Sequence, residues 1–116
     1  MRSDQETLCD RLHIAWLRRL TVGWHHYNAE YLDGVLRLPI IALSDAGAEW
    51  GCWDLRTRQI RISARHVERD PWLIVMETLR HEMAHQYVDE HMHVLGERPH
   101  GSAFQEACRR LRCEKG

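Results

Sequence analysis

The chain contains no run of eighteen consecutive apolar residues, so no segment of it is built to cross a bilayer as a helix. Its opening, MRSDQETLCDRLHIAW, mixes charges of both signs and has no apolar stretch of the kind a secretory signal needs. The expectation is therefore a soluble, intracellular, cytoplasmic protein without membrane contact. A surplus of charge is missing too: the formal net charge is −1 with histidines neutral. No global field draws the molecule to nucleic acid or membrane, and partners have to be argued from local sites. The four cysteines, Cys9, Cys52, Cys108 and Cys113, form no C-x-x-C pair, which fits reduced thiols better than a disulfide framework or a zinc ribbon. Repeats, low-complexity tracts and linkers are also lacking. The 116 residues suffice for one domain, residues 1–116, with a core that needs no disulfides. A monomer is expected.

What is present reads as helix, helix, strands, helix, loop, helix. Leu8, Leu12, Trp16 and Leu20 stand four apart and predict an amphipathic helix over residues 4–20 that Gly23 ends or bends. WHHYNAEYLDG predicts a second short helix, with Gly34 as its left-handed stop. LPIIALS, AEWGCWD and QIRIS read as three strands, the last two joined as a hairpin through DLRTR, with Ile60 and Ile62 on one face. Asp70-Pro71 predicts a helix start that runs to about His91, and Ser102-Ala-Phe-Gln105 has the form of a capping box opening a last helix. The fold class is α+β: a small antiparallel or mixed three-stranded sheet packed on a long central helix with flanking helices.

The central helix carries the chemistry. Trp72, Met76, Leu79 and Met83 make one stripe, while His81 and His85 point to the opposite side. HEMAH, residues 81–85, spells H-E-x-x-H. Two imidazoles four apart occupy successive turns of one helix face and can reach one metal ion at about 2.0–2.1 Å. Glu82, rotated by about 100°, is poorly placed to ligate and well placed to take a proton from an attacking water.

Two histidines hold an ion poorly, so a third ligand is needed. His91 has the spacing of H-E-x-x-H-x-x-G-x-x-H, but that motif turns at a glycine where this chain has Val88. If the helix continues instead, His91 lies about 240° round the wheel from His85. His93 is no better placed, and Glu106 has nothing distinctive around it. His100 follows a loop holding Gly96 and Pro99 and precedes the capping box, a geometry that lets a short segment double back and present an imidazole to His81 and His85. It is the favoured candidate of the four.

The segments YNAEYLDGVL, IRIS, TLRHEMAHQY and HGSAF, spread over roughly residues 24–112, together resemble the SprT-like metallopeptidase family, which includes proteases of DNA–protein crosslinks. The resemblance implies a zincin-like peptidase domain with one catalytic Zn2+ held by His81, His85 and His100, and with Glu82 as general base. Family members commonly continue into a zinc ribbon or further DNA-binding segments. This chain ends at Gly116 without them, so a minimal peptidase domain is expected.

The expected substrate is a protein or peptide, cleaved with low sequence preference. For DNA, the candidate contacts are Arg56, Arg58, Arg61 and Arg65, with Arg69 and the stacking residues Trp50 and Trp53. The competing reading makes the tryptophans core and the arginines a solvated face balanced by Asp54, Glu68 and Asp70. Two other functions stand beside a protease of DNA-bound proteins: a nucleic-acid-binding module with a structural or vestigial zinc site, and a general zinc peptidase with no DNA link.

Overall fold

A computed structural model describes residues 4–45, 49–94 and 98–113. Helix α1 (Asp4–Leu32) leads into a three-stranded sheet of β1 (Ile40–Ser44), β2 (Gly51–Asp54) and β3 (Gln59–Ser63). Helices α2 (Ala64–Arg69) and α3 (Trp72–Tyr87) follow, then a π-helical turn (Val88–Met92) and α4 (Ser102–Leu111). Strand order is β1-β3-β2, with β1 parallel and β2 antiparallel to β3. The fold is therefore α+β with a small mixed sheet. Ala48, expected to open the second strand, and Gly96, expected in the loop before His100, lie outside the described residues.

The first two expected helices are one. Gly23 neither ends nor bends α1; a Cβ there would lie 2.9 Å from Met76 Sδ. Its bare Cα is what lets α1 cross close over α3, and packing of that kind outweighs the weak helix propensity of glycine. The stripe is also shorter than expected: Leu20 is buried and Trp16 packs on the core, but Leu8 and Leu12 are exposed. The helix stops one residue earlier than Gly34 implies: Asp33, at φ 56°, is already left-handed, and Gly34 follows at φ 71° with its N–H donating to the Asn28 carbonyl at 2.8 Å. Asn28 also clamps the returning chain, its side chain donating to the Leu36 carbonyl and accepting from the Leu36 N–H, each at 3.0 Å.

The hairpin between β2 and β3 forms as expected. Asp54 Oδ1 accepts from the Arg56 N–H at 2.9 Å and so builds the turn from within. Ile60 and Ile62 are fully buried against the helices. Ser63 does more than close the strand: its Oγ accepts from the His66 N–H at 3.3 Å and caps α2, a helix absent from the sequence reading. Asp70 is consequently not the cap of α3. Its carboxylate accepts from His66 Nδ1 at 2.7 Å, and the cap position of α3 falls on Pro71. At α4 the cap is Gly101 rather than Ser102, which is the first helical residue.

The core gathers Leu20, Trp24, Leu32, Ile60, Ile62, Val75, Leu79, Met83, Phe104, Ala107 and Leu111 between α1, the sheet, α3 and α4. One polar chain crosses it. Trp24 Nε1 donates to Gln86 Oε1 at 3.1 Å; Gln86, fully buried, donates from Nε2 to Glu90 Oε1 at 2.9 Å and to the Arg37 carbonyl at 3.0 Å. Glu90 is gripped by Arg58 through Nε and Nη2, the latter at 2.7 Å. This chain fixes the far end of α3 to α1 and to the hairpin, and every member has a partner, as burial demands.

The Arg58 guanidinium, with help from Gln86, holds the Glu90 carboxyl below the usual carboxylate range. Because the folded-state value is depressed, the stabilisation is present above the unfolded-state value of about 4.3 and is lost as pH falls through the folded one. Glu90→Gln is expected to lower the unfolding free energy by about 1–2 kcal/mol at pH 7. Urea melts of the two proteins should converge at low pH, where the native carboxylate is protonated.

Candidate metal centre

Helix α3 brings His81 and His85 to the side facing away from Leu79 and Met83 because residues four apart share a face. The chain then keeps turning through Val88, whose φ and ψ of −60° and −47° are helical. The turn widens into π form over Val88–Met92 and stops at His93, left-handed at φ 54°. Continuation carries His91 to the surface, where its ring lies 4.9 Å from that of Tyr87. His25 and His26 are exposed on α1. Among the described residues, the group of donors near enough to share an ion is His81, His85 and His100, whose ring nitrogens lie within 4.8 Å of one another.

His100 reaches the site from the segment before α4. Its Nε2 is 3.2 Å from His85 Nε2, close to the roughly 3.4 Å that two nitrogens about 2.0–2.1 Å from one tetrahedral ion would keep. Phe104, one turn into α4, backs all three imidazoles: its ring lies 4.3 Å from that of His85, 4.5 Å from His100 and 4.9 Å from His81. The donor set fits a metal ion. Three nitrogens of intermediate softness converge from two elements, the rings are held by an aromatic base, and the open side faces a cleft, which leaves room for water or substrate. Burial, with the neighbouring His81 and His100, pushes the His85 imidazole down to about 4.

Glu82 sits beside these rings and is nearly buried, at 7% exposure. The start of β2 covers it: a Cβ on Gly51 would lie 3.1 Å from Glu82 Oε2 and 2.9 Å from Thr78 Cγ2. Only glycine lets the strand lie this close. Burial and then the charge of Glu49 push the Glu82 carboxyl up to about 7, against the Trp53 backbone N–H that donates to it.

The cleft has a volume of about 1100 Å³. Its floor runs from Ile74 on α3 to Asp89 in the π-helical turn, one wall is Glu49–Trp53, and the other is Val94, Arg98–His100, Ala103 and Phe104. The Asp89 carboxylate accepts from Trp53 Nε1 at 2.8 Å. Trp50 is 58% exposed and stacks on buried His66 at 4.4 Å and 12°. Glu106 is an exposed residue of α4 outside the histidine group.

Of the arginines read as DNA contacts, Arg58 is held by Glu90, while Arg61 donates to Gln59 at 2.8 Å and lies 3.9 Å from Asp54. Arg56 and Arg65 are exposed. Gly51, Glu49 and Phe104 carry site roles that residue-by-residue reading did not assign. For Phe104 the signal was its place in HGSAF; for Gly51 and Glu49 no local pattern gave one. No described helix is long and apolar enough to cross a membrane.

The SprT-like family model matches residues 6–116, and the chain belongs to that family. No curated protein and no solved structure matches it.

If the three imidazoles act together, His100→Ala removes one nitrogen from the group while His91→Ala leaves all three. Metal per chain, measured by elemental mass spectrometry on protein purified without added metal, is expected to stay near one zinc for His91→Ala and to drop at least tenfold for His100→Ala.

Proposed function

We propose that the protein is a zinc-dependent endopeptidase, zincin-like in the way its H-E-x-x-H helix lies under the sheet, and that it cuts extended segments of protein substrates. One observation carries the reading: His81, His85 and His100 converge at the cleft floor with Glu82 beside them, buried under the backbone of β2. A zinc site that only held the fold together would need no carboxylate next to it. The three imidazoles would hold the ion. When bound, zinc supplies a Lewis acid that polarises a carbonyl and makes water a stronger acid.

The remaining work falls to side chains and backbone of this chain. Glu82 takes the proton of the attacking water on a carboxylate oxygen and passes it to the leaving amine nitrogen. The Trp53 N–H and the close passage of Gly51 keep that oxygen at one place. Fifteen helical steps from Ile74 to Asp89 make a floor about 22 Å long, room for about six residues of extended peptide. The outer edge of β2, paired on one side only, lies along this floor. A peptide laid against it is held through its backbone, which favours low sequence preference and cleavage within a chain rather than at its ends. DNA contact is not carried into the proposal, because Arg58 and Arg61, two of the four candidate arginines, are engaged within the protein.

Turnover of an unfolded protein substrate by zinc-loaded enzyme, followed by fluorescence, tests this directly. Glu82→Gln is expected to lower it at least a hundredfold with zinc content unchanged; undiminished turnover would remove Glu82 from the reaction. A subtler effect is expected of Gly51→Ala. The added methyl displaces the glutamate rather than the imidazoles, so kcat should fall about 10- to 100-fold while zinc stays bound.

A further inference from the structure

We propose that Trp50, together with Glu49 and Glu77, forms a subsite that takes a lysine or arginine side chain of the peptide substrate; the inference rests on the endopeptidase reading and names the side chain that this part of the cleft selects. Three observations meet here. Trp50 is the most exposed tryptophan of the cleft wall, at 58%, yet it is not loose. One face of its indole lies on the His66 ring at 4.4 Å and 12°. That ring is only 2% exposed and is pinned at both nitrogens, Nδ1 2.7 Å from Asp70 Oδ2 and Nε2 2.9 Å from Thr78 Oγ1. A flat aromatic surface is thus fixed from behind and left open in front.

Two carboxylates share the cleft with it. Glu49 and Glu77 line the same cleft, and neither is in an ion pair with a described residue. The cleft's guanidinium, Arg98, stands on the opposite wall. An aromatic face rimmed by carboxylates attracts a cation twice, through the ring quadrupole and through Coulomb attraction. An uncharged apolar side chain at the same place would strip water from both carboxylates without compensation. The long apolar stem of lysine or arginine also suits a cleft with Ile74 and the Thr78 methyl beside the tryptophan.

The subsite lies toward the start of α3 from His81, whereas Trp53, bound to Asp89, lies toward its end. The cleft therefore has two different tryptophans on either side of Glu82. Trp53 has its N–H committed to the protein, and Trp50 has its open face available.

Arginine and citrulline differ by charge at nearly equal shape, so a pair of otherwise identical peptides isolates the claim. Wild-type enzyme is expected to cleave the arginine peptide with kcat/KM about tenfold above the citrulline peptide. The ratio should fall to about one in Glu49→Gln/Glu77→Gln and shrink in Trp50→Ala. Taking the ratio on one enzyme cancels any influence of Glu49 on Glu82. Binding of the same two peptides to Glu82→Gln, by calorimetry, gives a readout independent of turnover and should show the same preference and the same loss. Equal handling of the two peptides by wild type, or a preference that survives the double substitution, overturns the subsite while leaving the endopeptidase intact. Preferential binding of the arginine peptide without cleavage of either overturns the endopeptidase and retains the subsite.

Discussion

Residues four apart on an α-helix stand on successive turns of one face, and α3 uses that spacing on both of its sides. Leu79 and Met83 are fully buried against α1 and the sheet, while His81 and His85 look into the cleft. Because one rigid rod carries the core on one face and the imidazoles on the other, any shift that repacks the core also moves the site. The polar chain through Gln86 and Glu90 then sets where the end of that rod lies, and the bare Cα of Gly23 sets how closely α1 approaches it. The site inherits its geometry from these contacts.

Two walls complete what the helix begins, and they come from opposite directions in the chain. β2 arrives from before α3 and contributes backbone: the glycine that lies over Glu82 and the N–H that meets its carboxylate. The segment from Arg98 onward arrives from after it and contributes side chains, His100 and the Phe104 ring behind all three imidazoles. The Glu82 carboxylate is held by backbone, the less variable partner. The histidines, which have to meet each other, rest on an aromatic ring.

The sequence made legible whatever depends on neighbours a few residues away. The pairing of His81 with His85, the alternation of Ile60 and Ile62, the hairpin turn at Asp54 and the end of α1 just before Gly34 all follow from local periodicity or backbone preference. Valine at position 88 argued correctly for a helix that continues. What stayed hidden depends on distant partners. Gly23 reads as a break until Met76 is found against it. Asp70 reads as the cap of the helix that follows, because nothing local shows that His66 claims its carboxylate. Helix α2 is too short to show a period, and no pattern distinguishes Gly51, over Glu82, from a glycine in any strand. His100 lay between these cases, favoured by a turn that brings the chain back and by its place in HGSAF.

Packing along α1 is uneven, with a consequence for motion. The helix is about 43 Å long in a molecule whose longest extent is 49 Å, yet its burial begins only near Trp16 and Leu20. Leu8, Leu12 and Ile14 are 64%, 48% and 50% exposed. Its earlier turns bury little apolar surface, whereas its later turns share the cooperativity of the core. Backbone amides along α1 should accordingly exchange their hydrogens on a gradient, fast at the overhanging end and slow past Leu20. The first turns can open and close without disturbing the cleft.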